Sequence, residues 1–511
     1  MLATVNSAAV IGLQAIPITV EVDIINQGLP KFIIVGLPNK AVDESKERVR
    51  SALKNSGYEF PNRRITINLA PGDVPKEGSS YDLAIAIGIL IASEQIPPIK
   101  EKVLFHGELA LDGTIRPING AVLFAICAKE NNYHKLFVPR ENIHEASLIK
   151  ETSSVGVSEL KSAISILNGE LPFCNDNVEF TPYMQKQNSS FQNDFSVIKG
   201  QEVAKRALEI AAAGMHNVLM IGPPGSGKTL LARTFHSILP PLSNDEVIEL
   251  TKLYSSSGQL TKDQPIITLR PFRSPHHTGS VPSIVGGGTI PKPGEISLSH
   301  RGVLFLDEFL EFPKMVLEAL RQPLEDGFIT VTRTAQSTKF PAKFILLAAA
   351  NPCPCGYSMN VSDGKQCACT AQQIQKYRKK LSGPILDRID LQIHVKPVPV
   401  THLDSSTQAE TSAEIASRVK AARERQIERF SSLPIKTNGE MNVKEIRKYC
   451  TLDNDSQSLM SKAVESFKLS ARAYSRILKV ARTIADIEGE ENINTHHISE
   501  TLQYRLQDSW G

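Results

Sequence analysis

Between an apolar run, Val218–Ile221, and a helix-forming run, Thr229–Phe235, the chain carries Gly222-Pro223-Pro224-Gly225-Ser226-Gly227-Lys228-Thr229. The spacing GxxxxGK[ST], with a strand before it and a helix after it, admits few architectures. A buried parallel strand must deliver the loop, and a helix must begin where the loop ends. Backbone N–H groups and the helix amino terminus can then close around phosphates. The expected fold class is therefore α/β, built on a phosphate-loop core. Gly222 through Thr229 form the expected ATP-binding segment, in which Lys228 reaches the β- and γ-phosphates and Thr229 ligates Mg²⁺.

Two further apolar runs fit the same sheet. Val303-Leu-Phe-Leu-Asp307-Glu308 ends in two carboxylates. Asp307 is expected to hold Mg²⁺ and Glu308 to polarise the attacking water. Phe344-Ile-Leu-Leu-Ala-Ala-Ala-Asn351 ends in an amide. Because strand carboxyl ends face the ligand in such sheets, Asn351 can orient that water. It can equally be a turn former before Pro352.

At 511 residues the chain is too long for one ordinary domain, and its 41% apolar and 22% charged residues are those of a soluble globular protein. Residues 1–170 alternate strand-like runs (Ile18–Ile25, Phe32–Val35, Arg64–Leu69, Lys135–Val138) with helical ones (Asp43–Asn55, Asp82–Ala92), as an α/β domain does. Residues 171–194, rich in Pro, Asn and Ser, read as a linker or an ordered surface loop. The phosphate-loop core is expected over 195–400 and a helical region over 401–511. The net charge of +3 is unevenly spread. Up to Asp194 there are 18 Lys and Arg against 22 Asp and Glu; from Phe195 onward there are 39 against 32. That excess permits a polyanion partner or is simply a solvated surface. The amino terminus lacks a cationic region before its apolar residues, and the run Leu83–Ala92 is too short to span a membrane. A cytoplasmic protein is expected.

The phosphate loop, Asp307-Glu308 and Asn351 together resemble AAA+ ATPases. Leu381-Ser-Gly-Pro-Ile-Leu-Asp-Arg388-Ile-Asp is similar to the segment that supplies an arginine finger to the neighbouring subunit in the magnesium-chelatase-like branch. Ser470-Ala-Arg472-Ala-Tyr-Ser-Arg476 opens a helix, as the second sensor arginine does there, and Arg472 fits the register better than Arg476. Pro75-Lys-Glu-Gly-Ser-Ser80-Tyr-Asp82 resembles the serine loop of the Lon protease domain. The stretch that should bring its lysine, Ile118-Asn-Gly120-Ala-Val122-Leu123-Phe, has none. The first domain thus looks Lon-like without the peptidase pair, a binding or assembly module. A Lon-like domain, a chelatase-type AAA+ core and a helical lid, with the strings Arg270-Pro-Phe-Arg-Ser-Pro-His276-His277 and Asn351-Pro-Cys-Pro-Cys-Gly, resemble the ComM/YifB family over the whole chain. That resemblance implies a hexameric, ATP-driven DNA branch-migration helicase acting in recombination and natural transformation.

Four of the 7 cysteines form two C-x-C pairs, Cys353/Cys355 and Cys367/Cys369. Zn²⁺ suits such a set, with reduced thiols or an iron–sulfur cluster as alternatives. The basic run Lys376-Tyr-Arg-Lys-Lys380 meets phosphates or is a solvated helix face. Inserts at 270–300 and 328–340 occupy the places of pore loops in the chelatase-like branch, making Arg273, Lys292, Arg333 and Lys339 candidates to grip DNA irrespective of sequence. His276 and His277 have no partner at metal-ligand spacing and read as structural or phosphate-contacting. Two other functions compete. A chelatase-like ATPase remodelling a protein or metal-insertion partner shares the core; an ATP-dependent protease is disfavoured by the missing lysine.

Overall fold

The structure is a computed structural model. It describes all residues except 27–28, 77, 173–192, 289–290, 333–336, 359–365, 399–408 and 506–511. The expected linker and residue Arg333 lie outside the described residues, in whole or nearly so. The chain divides into two compact units. The first comprises Met1–Met184 together with Ser243–Thr268; the second comprises Gln185–Leu242 and Leu269–Gly511.

The first unit is built on a seven-stranded sheet, in the order Lys31–Val35, Arg64–Ala70, Gln14–Ile25, Leu2–Ile11, Val103–Phe105, Lys135–Pro139, Ser153–Val157. Leu2–Ile11 and Gln14–Ile25 form an antiparallel hairpin whose register runs from Leu2 opposite Asp23 to Ile11 opposite Gln14. Alternate residues of the second strand, Ile18, Val20, Val22 and Ile24, are buried, as period-two patterning requires. Helix Asp82–Ala92 is apolar all round and buried throughout. Its first residue, Asp82, is fully buried and accepts from Arg48 Nε at 2.6 Å. Burial nevertheless raises the Asp82 carboxyl above its ordinary range, the Arg48 contact opposing that shift.

Ser243–Thr268 leaves the phosphate-loop core in sequence and packs as part of the first unit. Its helix, Asn244–Ser256, starts at a capping box between Ser243 and Glu246. Near its end, Ser255 Oγ accepts the Gly120 N–H at 2.7 Å and donates to the buried carboxylate of Glu145.

The second unit carries a five-stranded parallel sheet, in the order Phe272–Arg273, Val303–Leu306, Ile345–Ala350, Val218–Ile221, Leu391–His394. Val218–Ile221, the strand before the phosphate loop, therefore runs between the strand leading to Asn351 and the last strand. All its residues are buried, which is why it reads as a continuous apolar run. Helices Glu202–Gly214, Ser412–Arg429 and Ala471–Glu488 contribute to the core around this sheet. Ala471–Glu488 belongs to two cores. Val480 and Ile484 join the sheet core, while Ile477, Leu478 and Ala481 join a cluster with Phe430, Met441, Ile446 and Ile498 in the carboxy-terminal helices. Among the described residues no helix is long and apolar enough to cross a membrane.

Candidate active site

The phosphate loop, the ends of Val303–Leu306 and Ile345–Ala350, and the segment after Phe272–Arg273 surround a cavity of about 690 Å³. That volume suits a nucleotide-sized ligand. It is lined by Gly225 to Thr229, Asp307, Glu308 and Asn351, and also by Arg233, His276 and His277. Gly227, at φ 90, caps helix Lys228–Phe235 in a conformation that side-chain-bearing residues rarely adopt.

Lys228 Nζ donates to the carbonyls of Gly222 and Pro223, each at 2.8 Å, and lies 3.4 Å from Asn351 Oδ1. Burial lowers its pKa, and Asp307 opposes that. A phosphate in the loop would replace these carbonyls with full negative charge and favour the ammonium further. Thr229 Oγ1 donates to Asp307 Oδ2 at 2.8 Å. A hydroxyl and a carboxylate held together this way are the hard oxygen donors that Mg²⁺ takes, so the residues present fit that ion.

Glu308 is held differently. Its backbone is left-handed, φ 51 and ψ 44, and its N–H donates to Asp307 Oδ1 at 2.9 Å. Its Oε2 lies 3.1 Å from Nδ1 of His277. The sequence gives no sign of this pairing, because 30 residues, most of them in a glycine- and proline-rich insert, separate the two positions in the chain. His276 turns inward on its own segment, with Nδ1 2.8 Å from Thr278 Oγ1.

Arg388 and Arg472 do not line this cavity. Both pair with Glu325: Arg388 through Nη2, and Arg472 through Nη2 at 2.7 Å. Arg388 is mostly buried, and its pKa is lowered by burial, then by repulsion from Arg472, Arg476 and Arg321. Arg476 is committed elsewhere, to Asp390 at 2.5 Å. Glu325 carried no signal in the sequence, since a lone glutamate on a short helix is ordinary.

The cysteine loop brings Cys353, Cys355, Cys367 and Cys369 together, their sulfurs all within 4.8 Å of one another. Cys353 Sγ is 3.3 Å from Cys355 Sγ and 3.7 Å from Cys367 Sγ, and the latter two are 3.5 Å apart. A tetrahedral Zn²⁺ with Zn–S of ~2.3 Å needs sulfur edges of ~3.8 Å, so small shifts would seat the ion. A second cluster, Glu488 with His496 and His497, fits metal less well. Nδ1 of His497 accepts the Asn494 N–H at 2.9 Å, which leaves the proton on Nε2, facing Glu488 at 3.1 Å.

The candidate DNA contacts fare unevenly. Lys339 lies on a hairpin, Phe328–Thr332 with Ser337–Pro341, where its ammonium sits 4.9 Å from the Phe328 ring centroid. Lys292 is exposed on a short strand pair, Gly286–Gly287 with Lys292–Pro293. Arg273 is paired within its own insert. Its guanidinium forks onto Glu295, at 2.5 and 2.6 Å, and so is neutralised within its own insert.

The family described as magnesium chelatase, subunit ChlI, matches residues 194–403; the description subunit ChlI of Mg-chelatase matches 20–142, and the subunit ChlI C-terminal description matches 409–505. The chain is 46% identical to competence protein ComM of Haemophilus influenzae, over 99% of this chain and 97% of that protein. It is 44% identical to the YifB protein of Escherichia coli, over 99% of this chain and 97% of that protein. Lon protease 2 of Bacillus subtilis is 31% identical over 24% of this chain and 22% of its own length.

Proposed function

The chain belongs to the ComM/YifB family of magnesium-chelatase-like AAA+ ATPases, and we propose that it is a ring-forming motor that couples ATP hydrolysis to branch migration of DNA. In this reading the phosphate loop, Gly222 to Thr229, cradles the triphosphate and Lys228 leaves the loop carbonyls for the β- and γ-phosphates. Thr229 and Asp307 would hold Mg²⁺, which supplies charge neutralisation between those phosphates. Glu308 takes a proton from the attacking water while Asn351 orients it.

The observation that carries the ring is the separation of the arginines from the cavity. Arg388 and Arg472 share Glu325 and contribute nothing to the lining around Lys228, Asp307 and Glu308. An arginine is the side chain suited to charge developing on a γ-phosphate. Supplied from a neighbouring copy, both would complete its site, so hydrolysis requires assembly. A hexamer is the state we propose.

DNA is the proposed track. The excess of Lys and Arg from Phe195 onward, 39 against 32 acids, supports a polyanion partner. Lys339, Lys292 and, outside the described residues, Arg333 are the proposed grips, acting on the backbone and so indifferent to base sequence. The four cysteines are proposed to hold Zn²⁺, which supplies a cross-link between the turn after Asn351 and the segment leading to Arg388. The first unit, Lon-like in its sequence, is proposed to bind or assemble rather than cleave. Its buried Lys76 donates to the Pro71 carbonyl.

The test is the ATPase rate without DNA, with single strands and with branched DNA, at two salt concentrations. The reading expects stimulation that weakens as salt rises. A rate indifferent to every DNA would instead favour a chelatase-like ATPase that remodels a protein partner.

A further inference from the structure

Four arginines gather away from the nucleotide cavity, and three carboxylates pair them. Arg388 and Arg472 share Glu325, one on each carboxylate oxygen. Arg321 pairs with Glu318 at 2.7 Å, and Arg476 with Asp390 at 2.5 Å. Two guanidinium groups therefore divide a single negative charge. Donors are left over as well. Nε of Arg388 and Nε of Arg321 are buried, with no hydrogen-bond partner among the described residues. Beside them lies a cavity of about 610 Å³, lined in part by Arg388, Arg472, Arg476 and Glu325. A cationic wall with unused donors fits an oxyanion that brings more charge and more oxygens than one carboxylate does. A terminal phosphate, with three strong acceptor oxygens, is such a group.

While Glu325 holds the pair, that phosphate is shut out. Arg388 is 8% exposed, so an anion on another copy cannot reach it until the pairing opens. Glu325 itself stands on a firm support. Its helix, Arg321–Asp326, ends at Gly327, φ 73, whose N–H donates to the Pro323 carbonyl at 3.0 Å. Gln322, on the same helix, fastens it to the hairpin: Oε1 accepts the Thr330 N–H at 3.2 Å, and Nε2 donates to Thr330 Oγ1 at 3.3 Å. The arginines are the longer and more movable partners, and the Arg472 side chain is 57% exposed. A carboxylate and a phosphate repel each other at such range, so the phosphate takes the arginines only as Glu325 loses them.

We propose that Glu325 is a positioning residue whose carboxylate occupies, on Arg388 and Arg472, the place that the γ-phosphate of a neighbouring copy's ATP takes. This rests on the reading that both arginines serve the neighbour's site. Capture of ATP then requires the γ-phosphate to displace a carboxylate. ADP has no such phosphate and leaves the pairing closed. Glu325 thus weakens ATP binding without touching the nucleotide, and it keeps the two arginines together between turnovers.

The experiment is equilibrium binding of ATPγS and of ADP, with Mg²⁺, to the full-length parental protein and to Glu325→Gln at saturating protein concentration. Glu325→Gln keeps the shape and removes the charge. ATPγS should bind about tenfold more tightly to the variant, the size expected for releasing hydrogen bonds to a charged group. Glu325→Ala, which cannot bridge the arginines at all, should show the same gain. ADP should bind parent and variants equally, which also shows that the variants are folded, and kcat should not fall. With Arg388→Ala and Arg472→Ala both present, Glu325→Gln should add nothing, because the carboxylate acts only through those two side chains. Unchanged or weaker ATPγS binding in Glu325→Gln overturns the proposal. So does a fall in kcat, a gain that ADP shares, or a gain that survives loss of both arginines. The reading beneath it fails by a different result: an Arg388→Ala, Arg472→Ala protein that binds ATPγS and hydrolyses ATP as the parent does.

Discussion

Glu145 sits in the first unit with 3% of its surface exposed and no ion-pair partner among the described residues. Its carboxylate accepts the Val122 N–H at 2.9 Å, the Ser255 hydroxyl, and the Asn142 amide at 3.4 Å. Burial pushes its pKa from 4.5 up to about 7, the hydrogen bonds from Ser255, Val122 and Asn142 opposing that shift. The folded state therefore holds this proton more tightly than the unfolded chain does. Its contribution to stability is greatest below the unfolded value and is lost as pH rises through about 7. A shift of this size corresponds to roughly 3 kcal/mol at most, since each pKa unit is about 1.4 kcal/mol. Glu145→Gln removes the charge but turns an amide towards the Asn142 amide, which returns about 1 kcal/mol of the gain. The net expectation is stabilisation of roughly 1–2 kcal/mol above about pH 7.5 and none below about pH 5.5. Hydrogen exchange of amides in helix Ala121–Glu130 and around Ser255, compared between parent and variant at each pH, reads this directly, because the intrinsic pH dependence of exchange cancels. Slower exchange in the variant by about tenfold at pH 8, and parity at low pH, is the predicted pattern. Equal or faster exchange in Glu145→Gln at pH 8 refutes the reasoning.

Arg388→Ala should lower kcat by about a thousandfold, the lower end for loss of an arginine finger. Mixing it with Lys228→Ala subunits should recover part of the rate, whereas no recovery in mixtures shown to co-assemble contradicts action across the subunit boundary. Purified, tag-free protein should carry about one zinc per chain. Gly356→Ala, at φ 87 and with its new Cβ 2.5 Å from Pro224 Cδ, should displace the phosphate loop and raise KM for ATP, and an unchanged KM would separate the cysteine turn from that loop. Lys339→Ala should flatten the slope of log DNA affinity against log salt by about 0.7 to 0.9, while an unaltered slope removes Lys339 from the contact set.

The phosphate loop and its sheet were legible in the sequence because their chemistry is local. Val218–Ile221, Val303–Leu306 and the strand before Asn351 are buried on both faces, and so appear as unbroken apolar runs. The cysteines were legible for a similar reason, each pair being fixed by a C-x-C spacing. Phe272–Arg273 was hidden in a glycine- and proline-rich insert, since a strand of this length has no periodicity to detect. Leu2–Ile11 was hidden because its Asn and Ser residues dilute an alternation that only its partner strand completes. Ser243–Thr268 belonging with the first unit is a matter of tertiary packing, carried by Ser255, Gly120 and Glu145, and each of these residues looks ordinary alone. His277 on Glu308 and the double engagement of Glu325 are contacts across sequence distance, and no spacing rule reaches them.

The central claim is that ATP hydrolysis at Lys228, Asp307 and Glu308 drives branched DNA through a ring. It is tested most directly by following a synthetic four-way junction with the assembled parental protein, ATP and Mg²⁺, beside Glu308→Gln. The account predicts that the parental protein resolves the junction into its duplex products through heterologous sequence, and that Glu308→Gln binds ATP and junction yet leaves the junction intact. A parental protein that hydrolyses ATP but never moves the junction, at a rate DNA does not alter, contradicts it.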